Sequence, residues 1–238
     1  MDNAPNEIEA KLERLLKNVP QMEWVEIKLP TGADVKIRPL TFNDEKNIKT
    51  AFTLSQDESE QVIKYTLNGC VDGIDIDSMA IVDKDYMLYK IREISYGSTY
   101  PLEGKCENCK ASNTLRLQLS SLPVNYAPED QNHTVTLPDS KVRATFRMPT
   151  VSEEIFIGSL EKRLDNLSRF VVDIDGETDQ SVIYAFLRKT TVRDVDVLRK
   201  EVYNSELGFE KVIVYRCKAC DKENRTVLAI NEHFFSAS

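Results

Sequence analysis

The sequence predicts an α+β fold made of two related halves, each with a β-hairpin, several helices and a second hairpin that carries a Cys-x-x-Cys turn. Two hairpin patterns of one plan occur about a hundred residues apart, and helical apolar stripes follow each of them. Each half then ends in a strand, a cysteine pair and another strand. We expect a helix at 1–20, a first half at 21–126 and a second half at 127–238.

Composition and charge narrow the class of protein. Of the 238 residues, 41% are hydrophobic and 29% are charged, a mixture typical of a globular chain. No stretch approaches the roughly 20 apolar residues that span a bilayer, which argues against a membrane protein. The first residues, MDNAP, lack the features of a signal peptide, so we expect a cytosolic protein with reduced thiols. The net charge of −8 argues against a general nucleic-acid binder.

The segment 5–19, PNEIEAKLERLLKNV, predicts an amphipathic N-terminal helix. Its apolar residues fall on one helical face, which comprises Ile8, Leu12, Leu15, Leu16 and Val19. We expect this face to pack on the protein's own domain. The alternative is a protruding arm that lays the face on a partner.

The two predicted hairpins lie at 24–45, WVEIKLPTGADVKIRPLTFNDE, and at 132–154, NHTVTLPDSKVRATFRMPTVSEE. In each, an alternating strand runs into Leu-Pro, a polar turn follows, and a second alternating strand ends at an arginine. A proline and a threonine come next, and three residues after the threonine stands Asp44 or Glu153. This spacing predicts a capping box at the start of a helix.

Helices in similar positions follow, the first pair at 44–54 and 151–165. Two further helical apolar stripes follow in each half. In the first half they are Val62, Ile63 and Leu67, and then Tyr86, Met87, Ile91 and Ile94. In the second half they are Val182, Ile183, Phe186 and Leu187, and then Val195, Leu198 and Val202. Corresponding features lie 108 to 111 positions apart, which indicates an ancestral duplication. The alternative is two unrelated hairpins in one α+β protein.

Four of the five cysteines form the two Cys-x-x-Cys turns: Cys106, Cys109, Cys217 and Cys220. Each turn lies between two predicted strands and can present two thiolates to one ion. Pairs so far apart are unusual for a zinc ribbon, but equivalent turns of a duplicated chain can meet at a pseudo-two-fold axis. The sequence therefore predicts one structural zinc ion held by all four cysteines, with no open position for catalysis.

Other interpretations of these cysteines remain open. One is four reduced cysteines in two tight turns without metal. A thioredoxin-like redox pair is the other, although neither turn opens a helix after a strand. Cys70 is expected to be a buried free thiol.

The sequence gives no pattern that selects an enzyme. The acidic runs at 71–77 and 173–179 do not match a calcium-binding loop and are predicted to be solvated turns. A glycine-rich phosphate loop, a nucleophile elbow and a dinucleotide fingerprint are all absent from the sequence. We therefore expect no catalytic residues and no small-molecule substrate.

Basic residues near the cysteines allow a second function, that of a zinc-ribbon protein that binds nucleic acid. They are Lys105, Lys110, Arg116, Arg216, Lys218, Lys222 and Arg225. The alternative role for them is to stabilise thiolate charge around a metal.

Residues 92–126, REISYGSTYPLEGKCENCKASNTLRLQLSSLPVNY, contain a helix ending in Ile-Ser-Tyr-Gly, a Cys-x-x-Cys knuckle, an alternating strand and a closing Leu-x-x-Leu. This ordered set resembles the baseplate hub assembly proteins of contractile-tailed, T-even-type bacteriophages, and the segment LPTGADVKIRPLT is also similar to that family. The two segments lie within residues 29–126, a little under half of the chain. The resemblance implies an assembly chaperone or a component of the baseplate hub, and it carries over no catalytic residue.

We accordingly expect a non-enzymatic protein that binds other phage baseplate hub or tail proteins. It would act in the cytoplasm of the infected bacterium and would be found in the virion tail baseplate if it stays in the particle. The expected partner contacts are the apolar residues of 5–19 and the tail segment His233-Phe234-Phe235.

Overall fold

The computed structural model describes residues 4–19, 22–127, 133–157, 159–203, 206–231 and 233–236. The first elements are α1 (Ala4–Leu16), β1 (Val25–Lys28), β2 (Asp34–Ile37), α2 (Phe42–Ala51), α3 (Gln56–Cys70), β3 (Val71–Asp72) and α4 (Ile81–Tyr96). The hairpin of β4 (Thr99–Lys105) and β5 (Ser112–Gln118), a 3₁₀ turn at Leu119–Ser121 and β6 (Val124–Asn125) complete this part. Strands β1, β2 and β3 form one antiparallel sheet in that order.

The rest of the chain also begins with a hairpin and ends with a cysteine hairpin, but it has two α-helices, instead of one, after the third strand of its sheet. It contains β7 (Thr134–Thr136), β8 (Arg143–Phe146), 3₁₀ helices at Val151–Phe156 and Leu167–Phe170 on either side of α5 (Leu160–Asn166), β9 (Val171–Ile174), α6 (Gln180–Leu187), α7 (Val192–Tyr203), β10 (Gly208–Phe209), β11 (Val212–Arg216) and β12 (Glu223–Val227). Strands β7, β8 and β9 form a second antiparallel three-stranded sheet, and β11 pairs with β12. The predicted mixture of helices and strands is confirmed.

Both Leu-Pro turns bury their leucine and close with a similar hydrogen bond. Leu29 and Leu137 are fully buried, and their amides donate to a carbonyl oxygen across the turn at 2.7 Å and 2.9 Å. Each turn contains one residue with a positive φ. Gly32 has a φ of 103°, which glycine adopts readily because it has no Cβ atom, and Lys141 has a φ of 62° in the second turn. The two predicted hairpins are confirmed.

An arginine, a threonine and an acid join each hairpin to the helix that follows. Arg38 Nη1 donates to Asp44 Oδ2 at 2.8 Å, and the Thr41 amide donates to the same oxygen at 2.8 Å. In the second copy, Arg147 makes two hydrogen bonds with Glu153, of 2.7 Å and 2.6 Å. Both predicted capping boxes are confirmed.

Two buried acids anchor the Leu-Pro turns to the longer helices. Asp83, near the start of α4, accepts hydrogen bonds from the amide and the hydroxyl of Thr31. Asp194, in the first turn of α7, accepts from the amides of Asp139 (2.8 Å) and Ser140 (3.0 Å). The two acids, which lie 111 positions apart and which the sequence analysis missed, therefore hold corresponding turns.

The predicted helix at 151–165 is wrong as a single helix. A 3₁₀ helix covers Val151–Phe156, and α5 begins only at Leu160. Ser159 accepts a hydrogen bond from the amide of Lys162 (3.2 Å) and so caps a new helix. A serine at a helix start is stabilising, so Ser159 marks a boundary inside the predicted helix.

The acidic runs predicted to be solvated turns are partly strands. β3 covers Val71–Asp72, and β9 extends to Ile174, each as the third strand of its sheet. The turn itself begins after β9, where Asp175 and Gly176 have φ values of 49° and 91°. The strands are short and contain aspartate, which is depleted in strands, so composition favoured a turn.

The larger of two apolar cores draws on both predicted halves. It combines residues of the first half, such as Ile37 and Tyr89, with Phe209 and Leu228 of the second. A smaller core around Phe170 lies within the second half. Strands β6 and β10 also pair across the boundary at 126, so the two halves share a core as well as backbone hydrogen bonds.

The apolar face of α1 is exposed, and the prediction that it packs on its own domain is wrong. Ile8, Leu12, Leu15 and Leu16 in α1, and Val19 just after it, expose between 50% and 67% of their surface. The predicted amphipathic helix itself is confirmed.

The tail phenylalanines, predicted to contact partners, are part of the core instead. Phe234 and Phe235 are fully buried, and the Phe234 ring packs edge-on against Tyr89 with ring centroids 4.9 Å apart. Arg92, also fully buried, donates its Nε to the carbonyl oxygen of Phe234 at 3.3 Å. The prediction of a partner contact is wrong for both phenylalanines, whereas His233 is exposed.

Candidate metal centre

Each Cys-x-x-Cys turn is the tip of a two-stranded hairpin, β4–β5 or β11–β12. The amide of Cys106 donates to the Ala111 carbonyl at 2.9 Å, and the amide of Cys217 donates to the Lys222 carbonyl at 2.9 Å. Lys110 has a φ of 61° and Asp221 a φ of 57°, at corresponding positions after the second cysteine. The two turns therefore have the same backbone shape.

The structure brings all four predicted cysteines together. The Sγ atoms of Cys106, Cys109, Cys217 and Cys220 lie within 4.8 Å of one another. The sulfur atoms of Cys106 and Cys220 are 3.7 Å apart, and those of Cys109 and Cys217 are 3.6 Å apart. A disulfide has its sulfur atoms at about 2.05 Å, so these cysteines are free thiols.

The sulfur spacing fits a tetrahedral metal. Four thiolates at about 2.3 Å from a zinc ion would be about 3.8 Å apart, close to the two shorter distances. The close pairs each join the first cysteine of one turn to the second cysteine of the other, Cys106 to Cys220 and Cys217 to Cys109. The cluster could therefore hold a metal ion, with each turn supplying two ligands.

Backbone amides favour the thiolate form of the first cysteine in each turn. The Cys109 amide, with a further contribution from the Asn108 amide, lowers the pKa of Cys106 to about 6. The Ala219 amide lowers the pKa of Cys217 below its usual range. Thiolates are the form in which cysteine binds a metal, so the backbone of each turn favours that form at its first cysteine.

Two buried asparagines, which the sequence analysis missed, connect the turns. Asn113 Oδ1 accepts a hydrogen bond from the amide of Lys218 at 2.9 Å. Asn224 Oδ1 accepts one from the amide of Glu107, also at 2.9 Å. The signal that would have found them is their separation of 111 residues, the same as that between Cys106 and Cys217.

Gly104 and Tyr215, which are also 111 positions apart, lie against each other beside the cysteines. A Cβ atom added at Gly104 would be 2.8 Å from the Tyr215 ring, closer than non-bonded atoms approach. One position of the pair therefore carries the ring, and the other leaves room for it.

The basic residues near the cysteines are partly engaged with the turns. Lys110 Nζ donates to the carbonyl oxygen of Glu107 at 2.6 Å, and Arg216 pairs with Asp221 at 3.3 Å. These contacts reduce the basic surface that a phosphate backbone could use. They fit better with a role in supporting the turns.

A cavity of about 700 Å³ lies between α4, α7 and β10, away from the cysteines. Its walls include Val82 and Phe209, and two of its charged residues, Asp85 and Lys211, form an ion pair of 2.7 Å. The predicted free thiol Cys70 is fully buried elsewhere, and burial raises its pKa to about 12.

Fold and site together define a mixed α+β protein in which a four-cysteine cluster, able to hold a metal, joins distant parts of the chain. Residues 22–236 match the family model described as T4 bacteriophage base plate protein, and the chain belongs to this family. It is therefore a phage baseplate protein, and α1 lies before the matched residues. No curated protein and no solved structure matches the chain. Within the described part of the chain, no helix is long and apolar enough to cross a membrane.

Proposed function

We propose that this protein is a non-enzymatic part of the phage baseplate hub that binds other hub or tail proteins during assembly of a contractile tail. It acts as an assembly chaperone or as a component of the virion hub. Membership of the baseplate family supports this proposal, and so does the resemblance of residues 92–126 to hub assembly proteins. The site of action would be the host cytoplasm, and the virion tail if the protein stays in the particle.

The observation that carries the proposal is the exposed apolar face of α1. A baseplate protein that presents four exposed apolar side chains on one helix face has a surface suited to a groove on a partner. Segment 4–19 contains three acidic and three basic residues, so it is neutral. A membrane-surface helix is usually rich in Lys and Arg, and this neutrality favours an apolar groove on a protein.

Substitutions on the two sides of α1 test this interface. Leu12→Glu combined with Leu16→Glu places charge on the apolar face, whereas Arg14→Glu places it on the opposite face as a control. Each variant would be co-expressed with the hub proteins of the same phage and captured by an affinity tag. We expect the double variant to capture about tenfold less hub protein than the wild type, and the control to capture as much as the wild type. Equal capture by all three proteins would contradict the proposal.

Mass spectrometry of purified virions separates the two versions of the role. A hub component is present in finished particles in a fixed ratio to the other hub proteins. A chaperone is present in infected cells and absent from particles that contain the other hub proteins.

We also propose that the four cysteines bind one structural zinc ion per chain. The sulfur spacing and the closed set of four thiolates support zinc, which needs no open coordination position in a structural site. Elemental analysis of the purified protein should give about one zinc per chain. Two ions, or none, would contradict the shared site.

An ancestral duplication accounts for the shared arrangement. Both halves have an antiparallel three-stranded sheet, a capping box supported by an arginine, an acid that anchors the Leu-Pro turn and a cysteine hairpin. The contacts between the turns come in pairs that are related by a shift of 111 positions. The Cys106–Cys220 contact corresponds to Cys217–Cys109, and the hydrogen bond from Glu107 to Asn224 corresponds to the one from Lys218 to Asn113. Such an exchange is what a pseudo-two-fold axis through the cluster would produce.

A further inference from the structure

We propose that Asn113 and Asn224 are positioning residues that hold the two cysteine turns together before any metal binds, so that the four sulfurs form a ready-made site. The inference rests on the proposed zinc site for its second half, the effect on metal affinity. Its first half concerns the metal-free chain alone.

The hydrogen bonds of the two side chains are reciprocal. Each asparagine anchors in its own turn, because Asn113 Nδ2 donates to the Ala111 carbonyl (3.1 Å) and Asn224 Nδ2 to the Lys222 carbonyl (2.7 Å). Each then uses its oxygen to accept the amide next to the first cysteine of the other turn. The side chains therefore act as two crossed ties between segments that are distant in sequence.

These ties are strong for their size because they are buried. Asn113 exposes 2% of its surface and Asn224 exposes 6%. Burial keeps water from competing for these amides, so each hydrogen bond is stronger than it would be on the surface. Neither tie passes through a sulfur atom, so both can form in the absence of metal.

One asparagine also reaches a sulfur. Asn113 Nδ2 lies 3.6 Å from Cys217 Sγ, which places a donor next to a thiolate of the other turn. Asn108 makes a comparable contact, 3.6 Å from its Nδ2 to Cys220 Sγ, but its side chain is exposed and makes no tie to the backbone of the other turn. Asn108 is therefore a matched control for the loss of an asparagine near the cluster.

The first test measures amide hydrogen exchange by NMR in the chelator-treated, metal-free protein. We expect slow exchange at Glu107 and Lys218. Asn113→Ala should speed exchange about tenfold at Lys218 and leave Glu107 slow, whereas Asn224→Ala should do the reverse. Asn108→Ala should change neither. Fast exchange at both amides in a folded metal-free wild type would overturn the proposal.

Replacement by aspartate keeps the acceptor of the tie but removes its donor. Asn113→Asp keeps the oxygen that accepts the Lys218 amide, whereas the Nδ2 donor to the Ala111 carbonyl becomes a second oxygen. Exchange at Lys218 should therefore be slower than in Asn113→Ala and faster than in the wild type, and a rate equal to that of Asn113→Ala would count against the acceptor role. If Asn113→Ala does not fold, the exchange rates at both amides in the metal-free wild type still decide the matter.

The second test measures zinc affinity by competition with a chromophoric chelator. We expect Asn113→Ala and Asn224→Ala to weaken binding by about 10- to 100-fold, without changing the stoichiometry. If the protein binds no zinc but each alanine variant still speeds exchange only at the amide that its asparagine accepts, the zinc proposal is overturned and the proposal for the asparagines is supported. Zinc binding with unchanged exchange and affinity in both alanine variants would overturn the ties alone.

Discussion

The segments 25–118 and 134–227 each contain a three-stranded sheet, a capped helix and a cysteine hairpin, yet they differ in the helices between these parts. The first copy continues into α2 and α3, of 10 and 15 residues. The second continues into a 3₁₀ helix and α5, of 6 and 7 residues. The polar contacts around these helices correspond, whereas the helices themselves do not.

The difference indicates which interactions tolerate change. An arginine that binds a capping acid, or an asparagine that accepts one particular amide, needs its partner atom at a fixed place. Apolar packing can be rebuilt with other side chains of similar total volume. The similarity of the two halves therefore lies in a few polar contacts. Mutation of each contact and of its counterpart measures whether the two are equally strong.

The largest effect is expected at the cysteines, where the halves should be equivalent. Cys106→Ser and Cys217→Ser should each abolish zinc binding and destabilise the protein by several kcal/mol, because structural zinc contributes folding free energy. Elemental analysis and thermal unfolding measure the two effects. Cys70→Ala is the control and should keep about one zinc per chain. Loss of zinc in only one serine variant would show that the turns do not share an ion.

The two anchoring acids should differ. Burial alone would raise the pKa of Asp194, but the hydrogen bonds from Asp139 and Ser140 lower it, whereas burial keeps the pKa of Asp83 raised despite Thr31. In Asp194→Asn the new amide would face a backbone N–H in either orientation and cost about 2 to 3 kcal/mol. In Asp83→Asn it can donate to the Thr31 hydroxyl, so the cost should stay below about 1 kcal/mol. Urea unfolding at pH 7 measures both, and equal costs would refute this distinction.

The pair at the proposed axis should be strongly coupled. Gly104→Ala forces a Cβ against the Tyr215 ring and should cost about 2 kcal/mol. The same substitution should cost little in a Tyr215→Ala background, and a double-mutant cycle of unfolding free energies measures the coupling. Tyr215→Phe keeps the ring and should keep the penalty. A Gly104→Ala cost that is independent of residue 215 would argue against this contact.

The smallest effect is a difference in acid sensitivity between the caps. The hydrogen bonds from Arg147 lower the pKa of Glu153 to about 2, so its contribution is present above about pH 4.5 and is lost as the pH falls towards 2. Because Arg147 is partly exposed, we expect a loss of about 1 to 2 kcal/mol.

Burial would raise the pKa of Asp44, but the hydrogen bond from Arg38 lowers it overall. Glu153→Gln should flatten the dependence of unfolding free energy on pH between 5 and 2 more than Asp44→Asn does. Identical pH profiles for the two variants would show that the caps are energetically alike.

Much of the fold could be predicted because its signals are local. The Leu-Pro hairpins, the threonine-acid spacing and the helical stripes each depend on residues that are close in sequence. The prediction that the four cysteines meet came from comparing distant segments, which worked because both segments contain the same Cys-x-x-Cys motif. The same comparison would have found Asn113 and Asn224, had it been applied to residues other than cysteine.

The errors concern features that only tertiary structure decides. Phe234 and Phe235 look like an apolar tail in sequence, yet a cavity lined by Tyr89 and neighbouring rings receives them. The stripe on α1 has the pattern of a core helix, but the described residues leave its face uncovered. Amphipathicity shows that a face needs a partner and does not show whether the partner is in the same chain.

The pairing of turns 111 residues apart also sets a schedule for biosynthesis. At about 5 to 20 residues per second, the ribosome needs roughly 6 to 22 seconds after Cys106 to reach Cys217. During that interval the first turn has no second turn to bind, and the larger core still lacks Phe234 and Phe235. A nascent chain in this state has two exposed thiols and an open apolar core, so the supply of metal and protection from oxidation matter most before synthesis ends.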